Sequence, residues 1–368
     1  MEKLRRILAS VLVLALCLAC AVPACAATKQ TSGSPAKQKC ECDKEAAAKA
    51  KVVCTRGTFT STSKTPTQIV YFTWQDPSQK PKGIVQLTHG YAEHIQRYDD
   101  LARYLASNGY VVVGQDHLGH GLTGKEANSF GITPDDGAEA MINDMHKLMQ
   151  ITKAKYPGLP YILYGHSMGS YMTRAFCSRW SDEIDGTIWA GSCFIPSEAY
   201  LLSPAMDVYA QIAGKNKIDT RTAELQAKYP VLQTANLGII LPDTASDWLS
   251  YDSRNVQKFI ADPLNAKAVA PSLSRDSTKV ILMGSKRGYL DTIRNDLPIF
   301  IMSGKADSCG VFGVGTTLLE KQAQQNGKKN IRFKLYDGRH EIHNDFCKDQ
   351  VYADMLDFCN AVVAQQAN

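Results

Sequence analysis

The chain has 368 residues, 44% of them apolar and 21% charged, which is the composition of an ordinary soluble globular protein. Its formal net charge of +5 falls to +3 without residues 1–26, which carry Lys3, Arg5 and Arg6 against Glu2. So mild a bias, with no Lys/Arg-rich run, argues against nucleic acid as a partner.

Residues 1–26 read as an export signal. Met1–Arg6 is positively charged, Ile7 to Val22 is apolar and short for a membrane span, and Ala24-Cys25-Ala26 fits an A-x-A cleavage site. Val22-Pro23-Ala24-Cys25 also loosely resembles a bacterial lipobox, so lipoprotein anchoring is an alternative to release. The expected location is exported: secreted, periplasmic or at the cell surface. Of the 11 cysteines, Cys17, Cys20 and Cys25 lie in this leader. Cys40, Cys42, Cys54, Cys177, Cys193, Cys309, Cys347 and Cys359 remain, an even set that permits disulfides without specifying their pairing.

Residues 27–52 are rich in Lys, Ala, Ser, Gln and Thr and read as a flexible tether, with a short helix through Glu45–Ala50. Strand-type segments follow at Gly57–Ser63 and Gln68–Trp74. An alternation then begins. Gly83–Thr88 is strand and Tyr98–Asn108 helix; Tyr110–Gly114 is strand and Gly137–Tyr156 helix. Tyr161–Tyr164 is strand, Tyr171–Trp180 helix and Thr187–Gly191 strand. Apolar strands separated by helices predict an α/β fold with a mainly parallel sheet covered on both faces. The pattern stops after Phe194 and resumes at Pro298–Met302. The stretch between is too long for a structureless loop and reads as a mostly helical cap over 195–295, inserted into a core of 53–194 and 296–368. Strand Ile331–Tyr336 and a helix over about 350–363 close the chain.

Gly165-His166-Ser167-Met168-Gly169 matches G-x-S-x-G and lies between a strand and a helix, as a nucleophile elbow requires. A serine hydroxyl needs a base, and the base an orienting carboxylate, in the chain order Ser, Asp, His. Asp307 follows one late strand and His340 follows the last. His343 is a rival base three residues beyond, and Asp337 a rival carboxylate on the same turn. The amides of Met168 and Tyr91 are the expected oxyanion donors. Glu93, His94 and Arg97 are expected to brace the Tyr91 loop. His117 and His120 are expected to serve structure rather than bind a metal.

His89-Gly-x-x-Glu93-His94-x-x-Arg97-Tyr98, Asp116-His-x-Gly-His-Gly121, Gly165-His-Ser-Met-Gly169 and His340-Glu-Ile-x-Asn344 together resemble the monoacylglycerol lipase and lysophospholipase group of α/β-hydrolases, over about residues 57–360. The resemblance implies an eight-stranded sheet, a cap after the sixth strand, no cofactor and no metal. It also implies ester hydrolysis by Ser167, Asp307 and His340, with a small lipid ester as substrate. Tyr200, Leu201, Leu202, Met206, Leu237, Ile239, Ile240 and Leu241 in the cap are candidates to line an acyl pocket, and the cap is a candidate for transient contact with a membrane surface. The rival enzyme class is a proline-releasing type of aminopeptidase, which an acidic cluster in the cap would favour; Glu198, Asp207, Asp219 and Glu224 are too scattered to form one. An inactive binding module is the non-enzymatic rival.

Overall fold

The computed structural model describes residues 47–366. The chain lays down β1 (Val53–Thr60), β2 (Gln68–Gln75), β3 (Gly83–Thr88), β4 (Tyr110–Gln115), β5 (Tyr161–His166), β6 (Gly186–Ala190), β7 (Ile299–Gly304) and β8 (Ile331–Tyr336). They form one sheet in the order β1-β2-β4-β3-β5-β6-β7-β8. β1 and β4 flank β2 antiparallel, and every other pairing is parallel. The first strand starts earlier than its local sequence suggests, because Val53 to Thr60 finds a continuous partner in β2.

The central strands are buried on both faces, which explains their unbroken apolar runs. Successive side chains point to opposite faces. In β4, Val111 and Val113 join one core cluster and Val112 the other. Helices α1 (Asp99–Ser107), α2 (Gly121–Glu126), α3 (Gly137–Lys155) and α4 (Met168–Trp180) follow the early strands. The insertion between β6 and β7 contains α5 (Ser203–Ile212), α6 (Arg221–Lys228), α7 (Ser253–Ala261) and α8 (Pro271–Met283), joined by short 3-10 turns. α9 (Val314–Gln325) and α10 (Lys348–Gln366) complete the chain. Met141, Met145, Met172 and Phe176 of α3 and α4 fill one cluster, and Leu101, Leu105, Met355 and Phe358 of α1 and α10 fill the other.

The leader, the lipobox-like run, Cys40 and Cys42 lie outside the described residues. Residues 47–52, read as the end of the tether, are instead held on the core. Lys49 Nζ lies 2.9 Å from Asp100 Oδ1, and the carbonyl of buried Val52 accepts a 2.8 Å bond from Arg103. Cys54, Cys177, Cys309, Cys347 and Cys359 carry free thiols, so none of these takes up the disulfides that the cysteine count allowed. Among the described residues, no helix is long and apolar enough to cross a membrane.

The parallel strands share one carboxyl edge, where open α/β sheets place their ligands. The loops after β3, β5, β7 and β8 all emerge there, carrying Tyr91, Ser167, Asp307 and His340 to one place.

Candidate active site

Ser167 sits between β5 and α4 with φ 53° and ψ −124°, a backbone conformation that side chains other than glycine rarely adopt. The flanking glycines make that turn sterically possible. A Cβ on Gly165 would fall 2.2 Å from the Gly169 carbonyl oxygen, and one on Gly169 would fall 2.2 Å from that of Thr88. The strand, the elbow and the helix can therefore close on each other only where those side chains are missing. The Ser167 amide donates to the Ala190 carbonyl at 2.9 Å, tying the elbow to the end of β6.

Asp307 and His340 meet as their positions after β7 and β8 imply. His340 Nδ1 donates to Asp307 Oδ1 at 2.9 Å, and both residues are buried. Ser303 Oγ donates to Asp307 Oδ2 at 2.7 Å and the Cys309 amide to Oδ1 at 2.9 Å. Burial works to raise the Asp307 pKa, but the neighbouring His340, the Ser303 hydroxyl and the Gly310 amide hold it below the ordinary carboxylate value. Burial likewise works to lower the His340 pKa, and the Asp307 charge and hydrogen bond outweigh it, leaving a net rise. His340 Nε2 makes no hydrogen bond in this structure, so the contact with the Ser167 hydroxyl is not formed here. Such bonds are often long in unliganded sites. The two groups are nonetheless neighbours across one residue. A Cβ on Gly191, next to the carbonyl that holds Ser167, would lie 3.1 Å from His340 Cε1.

The loop after β3 lies directly against Ser167, since a Cβ on Gly90 would be 3.2 Å from Ser167 Cβ. The Tyr91 side chain is 42% exposed and leans toward the cap, its hydroxyl 3.4 Å from Ser274 Oγ. Met168 opens α4, where first-turn amides lack intrahelical acceptors. These are the two donors expected from the sequence.

Glu93, His94 and Arg97 brace this loop through partners the sequence did not disclose. Glu93 accepts from the Gly90 amide at 2.7 Å, from Tyr98 Oη at 2.8 Å and from Arg97 at 2.5 Å. Arg97 also clasps Glu341, beside His340, with two bonds of 2.6 and 2.7 Å, under the ring of Phe259 from α7. His94 pairs with Asp262 of the cap at 2.9 Å. The buried chain Glu93-Arg97-Glu341 thus locks the loop after β3 to the loop that carries His340. Burial opposes all three charges, but mutual pairing prevails, keeping both carboxylates low and the guanidinium protonated. Removing one partner strands buried charge, so Arg97→Ala is expected to cost about 3–5 kcal/mol of stability. Urea unfolding of the purified variant checks this; a midpoint equal to wild type would refute the pairing's importance.

His89, His117, His120 and His343 are buried around the site. His117 donates its amide to His89 Nε2 at 3.1 Å, and His120 Nδ1 donates to the Leu118 carbonyl at 2.9 Å. Burial lowers their pKa values to about 3 and about 4, so both are neutral at pH 7. His343 stacks on Tyr98 with ring centres 4.6 Å apart, and burial lowers its pKa to about 3. It lacks the carboxylate that His340 has. Asp337 points to solvent and pairs with Lys305 at 2.7 Å.

Further residues shape the site without having been singled out from the sequence. His166 Nε2 donates to the His340 carbonyl at 3.1 Å, and the Trp248 ring lies 4.8 Å from the His340 ring. Ser303 and Glu341 complete the set. His166 and Glu341 stood inside recognised motifs; Trp248 had no local signal at all. In the cap, the expected acyl-pocket lining is only partly inward. Leu201 is 65% exposed, and Ile240 and Leu241, in the non-helical run after Asn236, are each 89% exposed. The Leu202 side chain lies outside the described ones. Asp207 is taken up by Lys279 at 2.7 Å, which leaves it no part in an amine-binding cluster.

A family model described as serine aminopeptidase, S33, matches residues 79–346. The chain is 26% identical over 280 residues to a monoacylglycerol lipase of Mycolicibacterium smegmatis, covering 76% of this chain and 88% of that one. It is 37% identical over 290 residues to a monoglyceride lipase homolog of monkeypox virus, covering 75% and 88% respectively. A thermostable carboxyl esterase from Bacillus coagulans, solved in complex with glycerol, superposes with a TM-score of 0.76 at 27% identity, over 84% of this chain and 99% of that one. With the sheet order, the cap position and the elbow, these matches lead to one statement: the chain belongs to the serine aminopeptidase S33 family of α/β-hydrolases.

Proposed function

We propose that the protein is an exported serine esterase that hydrolyses small lipid esters, such as monoacylglycerols or lysophospholipids, through an acyl-enzyme on Ser167. The observation that carries this reading is the buried Asp307–His340 couple set beside a strained serine elbow at one sheet edge.

His340 takes the hydroxyl proton as Ser167 Oγ attacks the ester carbonyl, while Asp307 keeps the imidazole oriented and stabilises its protonated form. The Tyr91 and Met168 amides receive the developing oxyanion, each worth ~2.7–4 kcal/mol by the usual effect of one such donor. His340 then returns the proton to the departing alcohol. Water attacks the acyl-enzyme, again with His340 as base, and regenerates the free serine.

Two observations favour a lipid ester. Two relatives that the match covers to 88% of their own length carry the names monoacylglycerol lipase and monoglyceride lipase homolog. The cap also presents Ile212, Val231, Ile240 and Leu241 to solvent at 74–89% exposure, a surface suited to transient contact with a lipid aggregate. Export rests on the leader at residues 1–26. No cofactor is needed by this chemistry.

The test is one panel on the purified mature chain: monoacylglycerols, lysophospholipids, short p-nitrophenyl esters and aminoacyl amides. Esters are expected to turn over at least 100-fold faster than amides. Preferential release of an amino acid from the amides would overturn the esterase reading in favour of a peptidase.

A further inference from the structure

The turn after β7 brings to the Asp307–His340 couple a third group that ester hydrolysis does not use. Cys309 lies two residues beyond Asp307. Its Sγ, a carboxylate oxygen of Asp307 and a ring nitrogen of His340 all lie within 4.8 Å of one another. Asp307 and His340 are buried and held in place by the bonds described above, whereas Cys309 is the exposed residue of the three, with its thiol turned in against the protein, where burial and the Asp307 charge push its pKa up. His340 Nε2, although buried, has no hydrogen-bond partner.

A thiol, an imidazole and a carboxylate converging on one point form the donor set of a borderline-soft divalent cation. Zinc takes sulfur at ~2.3 Å, nitrogen at ~2.0–2.1 Å and carboxylate oxygen at ~2.0–2.2 Å, usually in a tetrahedron. Donors on such an ion stand somewhat closer together than 4.8 Å, a gap that rotation of the Cys309 side chain can close. Magnesium and calcium demand sets composed of oxygen, which this cluster is not.

We propose that Asp307, Cys309 and His340 form an inhibitory site for a thiophilic divalent cation of the zinc class, which silences the esterase by occupying its base. The inference rests on the reading of His340 as that base. Cys309 binds as thiolate and releases its proton to solvent, and water completes the tetrahedron. The ion takes Nδ1 of His340, the nitrogen that faces Asp307. The ring proton then moves from Nδ1 to Nε2, which is left without a lone pair for the Ser167 proton, and the bond that oriented the ring is broken. The cation is therefore an inhibitor and no part of the catalytic cycle.

The experiment uses the chelator-treated mature chain, with zinc chloride or magnesium chloride added during p-nitrophenyl ester turnover. Zinc is expected to inhibit at micromolar concentration, reversibly with EDTA, and magnesium to have no effect. Cys309→Ala is expected to need at least tenfold more zinc than wild type for half-inhibition, each measured against its own zinc-free turnover. A second measurement is independent of turnover. Ser167→Ala retains all three ligands and is expected to take one equivalent of zinc from a chromophoric chelator, with that equivalent lost in Ser167→Ala/Cys309→Ala. Equal zinc sensitivity of wild type and Cys309→Ala, or no zinc uptake by Ser167→Ala, would overturn the site. If the wild type hydrolyses no ester yet binds one zinc through Cys309, the site stands and the esterase reading is what fails.

Discussion

Replacing Ser167 by alanine is expected to lower kcat for a p-nitrophenyl ester by about 10⁶-fold, and His340→Ala by a comparable factor. The double variant is expected to be no worse than either single one. The two side chains perform one act, attack with removal of the attacking proton, so losing either already forfeits the whole gain. Activity above the uncatalysed rate should survive in all three variants, because the backbone donors at Tyr91 and Met168 and the binding surface remain. A fluorophosphonate probe gives the same information without substrate: wild type labels at Ser167 and Ser167→Ala does not. Undiminished labelling of that variant, or additive losses in the double variant, would sink the assignment of these residues as a unit.

Asp307→Asn is expected to cost about 10⁴-fold in kcat while leaving the fold intact. The amide replaces an acceptor that both Ser303 and His340 donate to, so it can hold the ring in the wrong tautomer. The same substitution has a signature in pH. His340 must be neutral to act as base, and Asp307 raises its pKa above the ordinary 6.5 against the opposing effect of burial. In the wild type, kcat/KM should therefore rise with pH through a midpoint above 6.5. Without the carboxylate charge the imidazolium loses its stabilisation, the pKa falls, and the acidic limb should move to lower pH. A limb that stays in place would show that Asp307 does not set the titration of the base.

Much of this arrangement is legible in the sequence. The elbow at Gly165–Gly169, the strands on either side of it, and the placement of Asp307 and His340 after later strands all depend on short stretches of chain. Local sterics enforce them: no side chain fits at Gly165 or Gly169 beside the neighbouring carbonyl oxygens. Which of His340 and His343 would meet a carboxylate was less legible, because both stand on the same turn. It was decided by the approach of Asp307, 33 residues away, to one of them. The brace behind the site was least legible. Arg97 and Glu341 are 244 residues apart, and Trp248 reaches the histidine from within the cap.

The layered α/β architecture, the position of the insertion and the chain order of Ser167, Asp307 and His340 are written in the sequence. Apolar runs, glycine punctuation and strand-end motifs act over a few residues and so are written locally. Only the tertiary structure decided which buried charges pair, which histidine faces a carboxylate, and which cap residues turn outward. It also brought Cys309, an unremarked cysteine in sequence, to the Asp307–His340 couple. A polar group in low dielectric must find its partner wherever the fold places one, and the distance along the chain between the two carries no pattern to read.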